Sequence, residues 1–314
     1  MTTLRAAVDE YLAMRRNLGF RLCATGRLLH QFVAFMEHQR AGIITTQLAM
    51  AWAQQSQTVQ PAEWARRLSI VRIFARHRHA TDPRTEIPPA GLLPYRPKRA
   101  RPYVYSDEEI RRLVHAARTM SYHYERGALR PWVYSCLLGL LSVSGMRLGD
   151  ARNLELPDID LPAGVLTIRG AKFGKTRLVP LHPSVCTVLA DYLRRRHQHW
   201  KNRSVSSYVF VSSAGNRLDV GDIHRTFYVL SRQIGLRGPA NRRGPRIHDL
   251  RHRFAVKTLW RWYRTGDDPE RRLPVLSAYL GHVHIRDTYW YLSAWPELMR
   301  EAMRRVEQQW EDRR

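Results

Sequence analysis

Residues 248–252 read His248-Asp249-Leu250-Arg251-His252. Downstream, Leu280-Gly281-His282 is followed nine residues later by Tyr291 in Asp287-Thr288-Tyr289-Trp290-Tyr291-Leu292. His248 and Arg251 stand three apart, and on a helix such a pair shares one face. Upstream, Ser144-Gly145-Met146-Arg147-Leu148-Gly149-Asp150 carries an apolar segment into a glycine and then an arginine. Between these stretches, Val165-Leu166-Thr167-Ile168-Arg169 and Thr176-Arg177-Leu178-Val179 read as strands joined by the short turn Gly170 to Lys175. Helical spacing recurs near 184–196, 222–234, 248–262, 274–281 and 285–292. The expected fold is therefore mainly α with a small β-sheet.

Working outward, Ser106 with Glu109 forms a capping box ahead of Ile110, Leu113 and Val114, a clean start for a domain. Before it, Pro83, Pro88, Pro89, Pro94, Pro97 and Pro102 rule out a regular helix, and Lys98, Arg99 and Arg101 add charge. That texture predicts a semi-rigid basic linker. Residues 1 to about 80 show helical spacing at Leu28, Leu29, Phe32, Val33, Phe35 and Met36, and again at Trp64, Leu68, Val71, Phe74 and Ala75. The second set is interleaved with Arg66, Arg67, Arg72, Arg76 and Arg78, so one face is apolar and the other basic. The expected organisation is a helical domain over 1–82, a linker over 83–104 and a second domain over 105–314.

The chain has 314 residues, with 52 Lys and Arg against 27 Asp and Glu, a formal net charge of +25. An excess of this size points to a polyanionic partner, and nucleic acid is the usual one. Cys23, Cys136 and Cys186 are few, odd in number and far apart, which excludes a disulfide framework and suits a reducing compartment. Met1 to Glu10 has no apolar signal core, and the apolar run Trp132 to Val143 is too short to span a bilayer. The expectation is a cytoplasmic protein with no membrane contact, and Trp132 to Val143 as a buried helix.

In order, Arg147, Lys172, His248 with Arg251, His282 and Tyr291 resemble the signature of the tyrosine recombinase (phage integrase) family, Arg … Lys … His-x-x-Arg … His … Tyr. Lys172 enters through Ala171-Lys172-Phe173-Gly174-Lys175-Thr176-Arg177-Leu178-Val179-Pro180-Leu181, which is similar to the family's β-hairpin. The resemblance covers roughly 105–295, and residues 1–80 look like the family's helical core-binding domain. Thr288 to Leu292 is most similar to transposase-type members carried on mobile elements. His-x-x-Arg alone carries almost no information; six elements in order in a strongly basic chain carry much. Asp150 stands where the family often has Glu, and Tyr289 competes with Tyr291. The nine-residue distance from His282 favours Tyr291.

The resemblance implies a mixed α/β catalytic domain and site-specific cutting and rejoining of double-stranded DNA through a 3′-phosphotyrosine. It implies no cofactor, metal or ATP. It further implies a prokaryotic homotetramer on two DNA sites, with companion recombinases as possible partners. The residue types suit that chemistry. Guanidinium groups meet two phosphate oxygens in a planar fork and stay charged, so Arg147 and Arg251 are the expected clamp. Tyrosine, with a free pKa of about 10, needs a base and nearby cations to attack. His248 is the expected base, and His282 the donor to a phosphate oxygen. Lys172 on the hairpin tip is the expected acid for the 5′-oxygen, with Lys175 a rival in the same turn. Asp150, three residues after Arg147, is placed to orient it.

Each residue alone has a plainer reading: surface arginines, a packing tyrosine, a helix-cap histidine. Three other functions stay open at this level: a DNA-binding accessory protein, a type IB-like topoisomerase, and a zinc hydrolase. The last rests on the H-x-x-x-H spacing of His248 and His252, although Asp249 replaces the usual Glu. Beyond Tyr291, Pro296 and Glu297 open a further helix with Leu298, Met299, Ala302, Met303, Val306 and Trp310 along one stripe. That stripe packs either on its own domain or, as the resemblance implies, on a neighbouring protomer.

Overall fold

The computed structural model describes residues 3–95, 101–121, 127–170, 176–238, 244–265, 267–294 and 296–311. They form two compact units, Met1–Ala100 and Arg101–Arg314.

The first unit is built from α1 (Leu4–Asn17), α2 (Cys23–His38), α3 (Thr46–Gln54) and α4 (Pro61–His79). Threonine hydroxyls cap two of them: Thr3 accepts from the Ala6 amide and Thr45 from the Leu48 amide, each at 3.2 Å. Pro61 opens α4, where its missing N–H costs nothing. The apolar stripes meet in one core containing Leu29, Phe32, Met36, Trp52, Leu68 and Phe74, with Phe32 and Trp52 edge to face at 5.3 Å. Residues 83–95 have no helix or strand, yet their start is tied down. Arg72 on α4 donates to the Pro88 and Pro89 carbonyls at 2.7 and 2.9 Å, and Thr85 is buried. One arginine of the basic face therefore holds backbone carbonyls.

In the second unit, the capping box at Ser106 and Glu109 starts α5 (Asp107–Arg118), with reciprocal bonds of 2.7 and 3.0 Å. The apolar run becomes α6 (Arg130–Ser144), buried on most sides, and ends at Gly145 with φ +60°. Then come α7 (Leu148–Arg152) and an antiparallel sheet of β1 (Ile159–Asp160), β2 (Val165–Ile168) and β3 (Arg177–Pro180) in the order β1-β2-β3. Leu166 pairs with Val179, and both face the core with Ile168. The two-residue β1 is too short for alternation to reveal it.

Helices α8 (Pro183–Trp200), α9 (Val220–Gln233), α10 (Asp249–Arg264), α11 (Pro269–Leu280), α12 (Arg286–Ala294) and α13 (Pro296–Glu311) complete the unit. Helix α11 starts at Pro269, ahead of the expected start near 274, and keeps Pro274 inside. Buried Leu273 and Leu276 hold it on the core despite the amide that proline lacks. Helix α13 packs on α10 and α12 of its own chain; Leu298 is fully buried, while Met299, Met303 and Trp310 are exposed. Among the described residues no helix is long and apolar enough to cross a membrane.

The observed fold is the expected one, mainly α with a small β-sheet.

Candidate active site

Chain reversals at two glycines create the site. Gly145 ends α6 with φ +60°, and a Cβ there would overlap the Phe254 ring. Gly281 ends α11 with φ +67°, and a Cβ there would lie 3.0 Å from Arg177 Nη1 and 3.3 Å from Arg147 Nη1. Only glycine suits both the left-handed backbone and the closeness of these neighbours. Both turns present a carbonyl to an arginine. Arg251 Nη1 donates to Gly145 O at 2.9 Å and its Nη2 to Leu280 O at 2.7 Å. Arg147 Nη2 donates to Gly281 O at 2.7 Å.

Arg251 is 2% exposed and makes no ion pair among the described residues. Removing a guanidinium from water costs roughly several kcal/mol. Two carbonyls, at about 1.5–3 kcal/mol each for charged donors, offset much of that but leave the charge uncompensated. Burial, with the nearby Arg147 and Arg177 charges adding to it, brings the Arg251 pKa down to about 10. Arg147 is likewise lowered, first by burial and further by Arg177. Its Nη1 is buried without a hydrogen-bond partner among the described residues. The arrangement is an excess of fixed positive charge with a free donor, which an anion would complete.

Tyr291, on α12, is 2% exposed, whereas Tyr289 is 47% exposed. Burial raises the Tyr291 pKa, and the neighbouring Arg251 and Arg147 charges pull it back. Its ring lies 6.1 Å from His282 in a stacked arrangement and 5.4 Å from His252 edge to face. His282 Nδ1 is 2.7 Å from the hydroxyl of fully buried Thr288. A Thr288 hydroxyl that donates there leaves the imidazole proton on Nε2. Burial and the Arg251 charge lower the His282 pKa to about 4, so the ring is neutral at pH 7.

His248 sits just before α10. Enclosure of its ring, then the Arg251 charge, lower its pKa, which suits a proton acceptor. Its ring meets His252 at 4.7 Å, so the ring contacts run from His248 through His252 to Tyr291.

Arg147, His248, Arg251, His282 and Tyr291 thus gather around the two turns. Lys172 and its rival Lys175 lie outside the described residues, between the ends of β2 and β3. Asp150 differs from expectation. Its carboxylate accepts from Arg177 Nη2 at 2.6 Å, and Arg147 feels only its charge. Arg177, inside the quoted hairpin, carried no expected role, and His252 entered only as a zinc ligand in the hydrolase reading, not as a neighbour of Tyr291. The spacing carries a signal for both: Arg177 stands two residues before buried Val179, on the same face of β3, and His252 is one helical turn past His248. Among the described residues no three His, Cys, Asp or Glu side chains are grouped to hold a metal ion.

The family model described as the phage integrase family matches residues 104–297. A putative integrase/recombinase of Sinorhizobium fredii, y4rB, is 63% identical over 313 residues, covering 100% of each chain. A second from the same organism, y4rE, is 31% identical and covers 95% of this chain and 94% of its own. The tyrosine recombinase XerA of Pyrococcus furiosus is 30% identical over 53% of this chain and 52% of its own. Among solved structures, a lambda integrase dimer bound to a core site aligns with TM-score 0.61 at 18% identity, covering 92% of this chain and 95% of that one. The XerH recombinase in a post-cleavage complex aligns with TM-score 0.63 at 16% identity, covering 94% and 83%. Sequence and fold agree: the chain belongs to the phage integrase family and is a tyrosine-type, site-specific DNA recombinase.

Proposed function

We propose that Tyr291 is the nucleophile and that Arg147, Arg251, His248, His282 and Lys172 serve it. The observation that carries this reading is the burial of Tyr291 among cations while Tyr289 faces solvent. The Tyr291 oxygen attacks the scissile phosphorus as its proton passes to His248. The bond to the 5′-oxygen breaks, and Lys172 protonates that leaving group. Arg147 and Arg251 stabilise charge on the non-bridging oxygens, with His282 donating from Nε2. The product is a 3′-phosphotyrosine, which keeps the phosphoester energy. A second strand's 5′-hydroxyl then reverses the attack without ATP, and the guanidinium charges supply what a divalent metal would.

The assembly is a homotetramer on two DNA sites, open to companion recombinases. A lambda integrase of similar fold is a tetramer bound to a Holliday junction. Residues 1–82 act as a core-binding domain joined through 83–104 to the catalytic domain 105–314.

Suicide substrates that trap the covalent intermediate test the site. Tyr291→Phe abolishes the adduct on a denaturing gel and leaves DNA binding intact. An adduct that survives in Tyr291→Phe but disappears in Tyr289→Phe moves the nucleophile.

A further inference from the structure

We propose that Arg177 is a third guanidinium of the phosphate site, fixed by two anchors so that its remaining nitrogen faces the same anion as Arg147. The proposal rests on the phosphate-site reading above and adds a residue to it.

Arg177 lies at the start of β3, and its side chain is 11% exposed. Two of its three nitrogens are committed. Nε donates to Tyr279 O at 3.0 Å, near the end of α11, and Nη2 donates to Asp150 Oδ2 at 2.6 Å, on α7. Asp150 is itself only 9% exposed, so this pair is held away from solvent. The third nitrogen, Nη1, is buried and has no hydrogen-bond partner among the described residues, a condition shared with Arg147 Nη1. Both Nη1 atoms lie within 3.3 Å of one point, the position of a Cβ on Gly281. Two buried donors on neighbouring cations, each without an acceptor, are costly unless an anion takes both bonds.

The charge balance agrees. Arg147, Arg177 and Arg251 are close enough for each of the other two to depress the Arg251 pKa, and Asp150 is the carboxylate paired among them. A phosphodiester supplies the missing negative charge. The fork to Asp150 and Tyr279 O holds the guanidinium plane still, so no reorganisation is needed as charge builds on the phosphate. The same fork ties the base of the hairpin to the turn that carries Gly281 and His282.

Neutralising the substrate separates this role from a structural one. A methylphosphonate at the scissile position replaces a charged oxygen with methyl, so a residue that stabilises that charge matters less. On ordinary phosphate, Arg177→Gln should slow single-turnover cleavage by about a hundredfold, the scale for losing one oxyanion donor. On methylphosphonate its loss relative to the unmodified protein should shrink at least about tenfold. Arg147→Gln serves as the reference.

If Arg147→Gln shows the rescue and Arg177→Gln is equally impaired on both substrates, Arg177 only props the hairpin and the proposal is wrong. If neither variant responds to the substrate, the phosphate-site reading itself fails. Should Arg177→Gln not fold, the guanidinium 15N signals of Arg177 in Tyr291→Phe protein decide. They should shift differently when half-site DNA carries phosphate or methylphosphonate, and identical shifts overturn the proposal.

Discussion

At the residue scale, two histidines beside Tyr291 are neutral because they are enclosed. Burial, then the other charges around them, lower His282 to about 4 and His252 to about 3. Both are ordinary in the unfolded chain, with a value near 6.5. Between those limits the unfolded state binds more protons than the folded one, so stability rises with pH there. The protein should therefore lose melting temperature as pH falls from 6.5 toward about 4, the window set by the two histidines. Scanning fluorimetry measures this directly, and His252→Phe should flatten the slope. A melting temperature constant across that window contradicts the burial argument. His248 is lowered in the same direction, first by burial and then by the Arg251 charge.

At the element scale, α13 carries an amphipathic stripe that its own chain covers only in part. Leu298 is completely buried on its own chain, but Met299 is 44%, Met303 59% and Trp310 72% exposed. Exposed large apolar groups on one helix are costly in water and mark a surface that another body covers. The assembly proposed above supplies that body as a second protomer. Met303→Glu with Trp310→Glu should leave binding to a single half-site unchanged and weaken cooperative binding to paired half-sites. Gel-shift titrations on one-site and two-site DNA separate the two effects. Equal cooperativity in the double variant and the unmodified protein removes α13 from the assembly. Tyr291 lies one helix upstream of α13, on α12, so such docking acts next to the proposed nucleophile.

At the scale of the whole molecule, the +25 charge sets how the protein meets DNA. Lysine and arginine that neutralise phosphates release counterions, so affinity falls with salt at a log–log slope of about −0.9 per phosphate contact. Fluorescence anisotropy across a salt series should give a steep negative slope on specific and non-specific DNA alike. A flat response would remove the charge-based argument for DNA. Not every basic side chain contributes. Arg72 holds the Pro88 and Pro89 carbonyls, Arg196 the Ser206 and Tyr208 carbonyls, and Arg253 the Tyr105 carbonyl. Alanine at Arg72 should therefore change stability more than it changes the salt slope.

Much of this protein was legible without coordinates. Periodicity exposed the helices because apolar side chains must line one face to be buried, and Ser106 with Glu109 marked a helix start because free amides need acceptors. The order of Arg147, His248, Arg251, His282 and Tyr291 was readable because each carries a reactive group whose type is visible in one letter. Tertiary structure alone decided which of these groups touch. Asp150 turned out to bind Arg177 across 27 positions of sequence, and Arg251 to bind carbonyls 106 and 29 positions away. Such pairings depend on where chain reversals at Gly145 and Gly281 aim the backbone, and local spacing carries no record of that direction. The free nitrogens of Arg147 and Arg177 can be recognised only when the folded chain shows which buried donors lack an acceptor among the described residues.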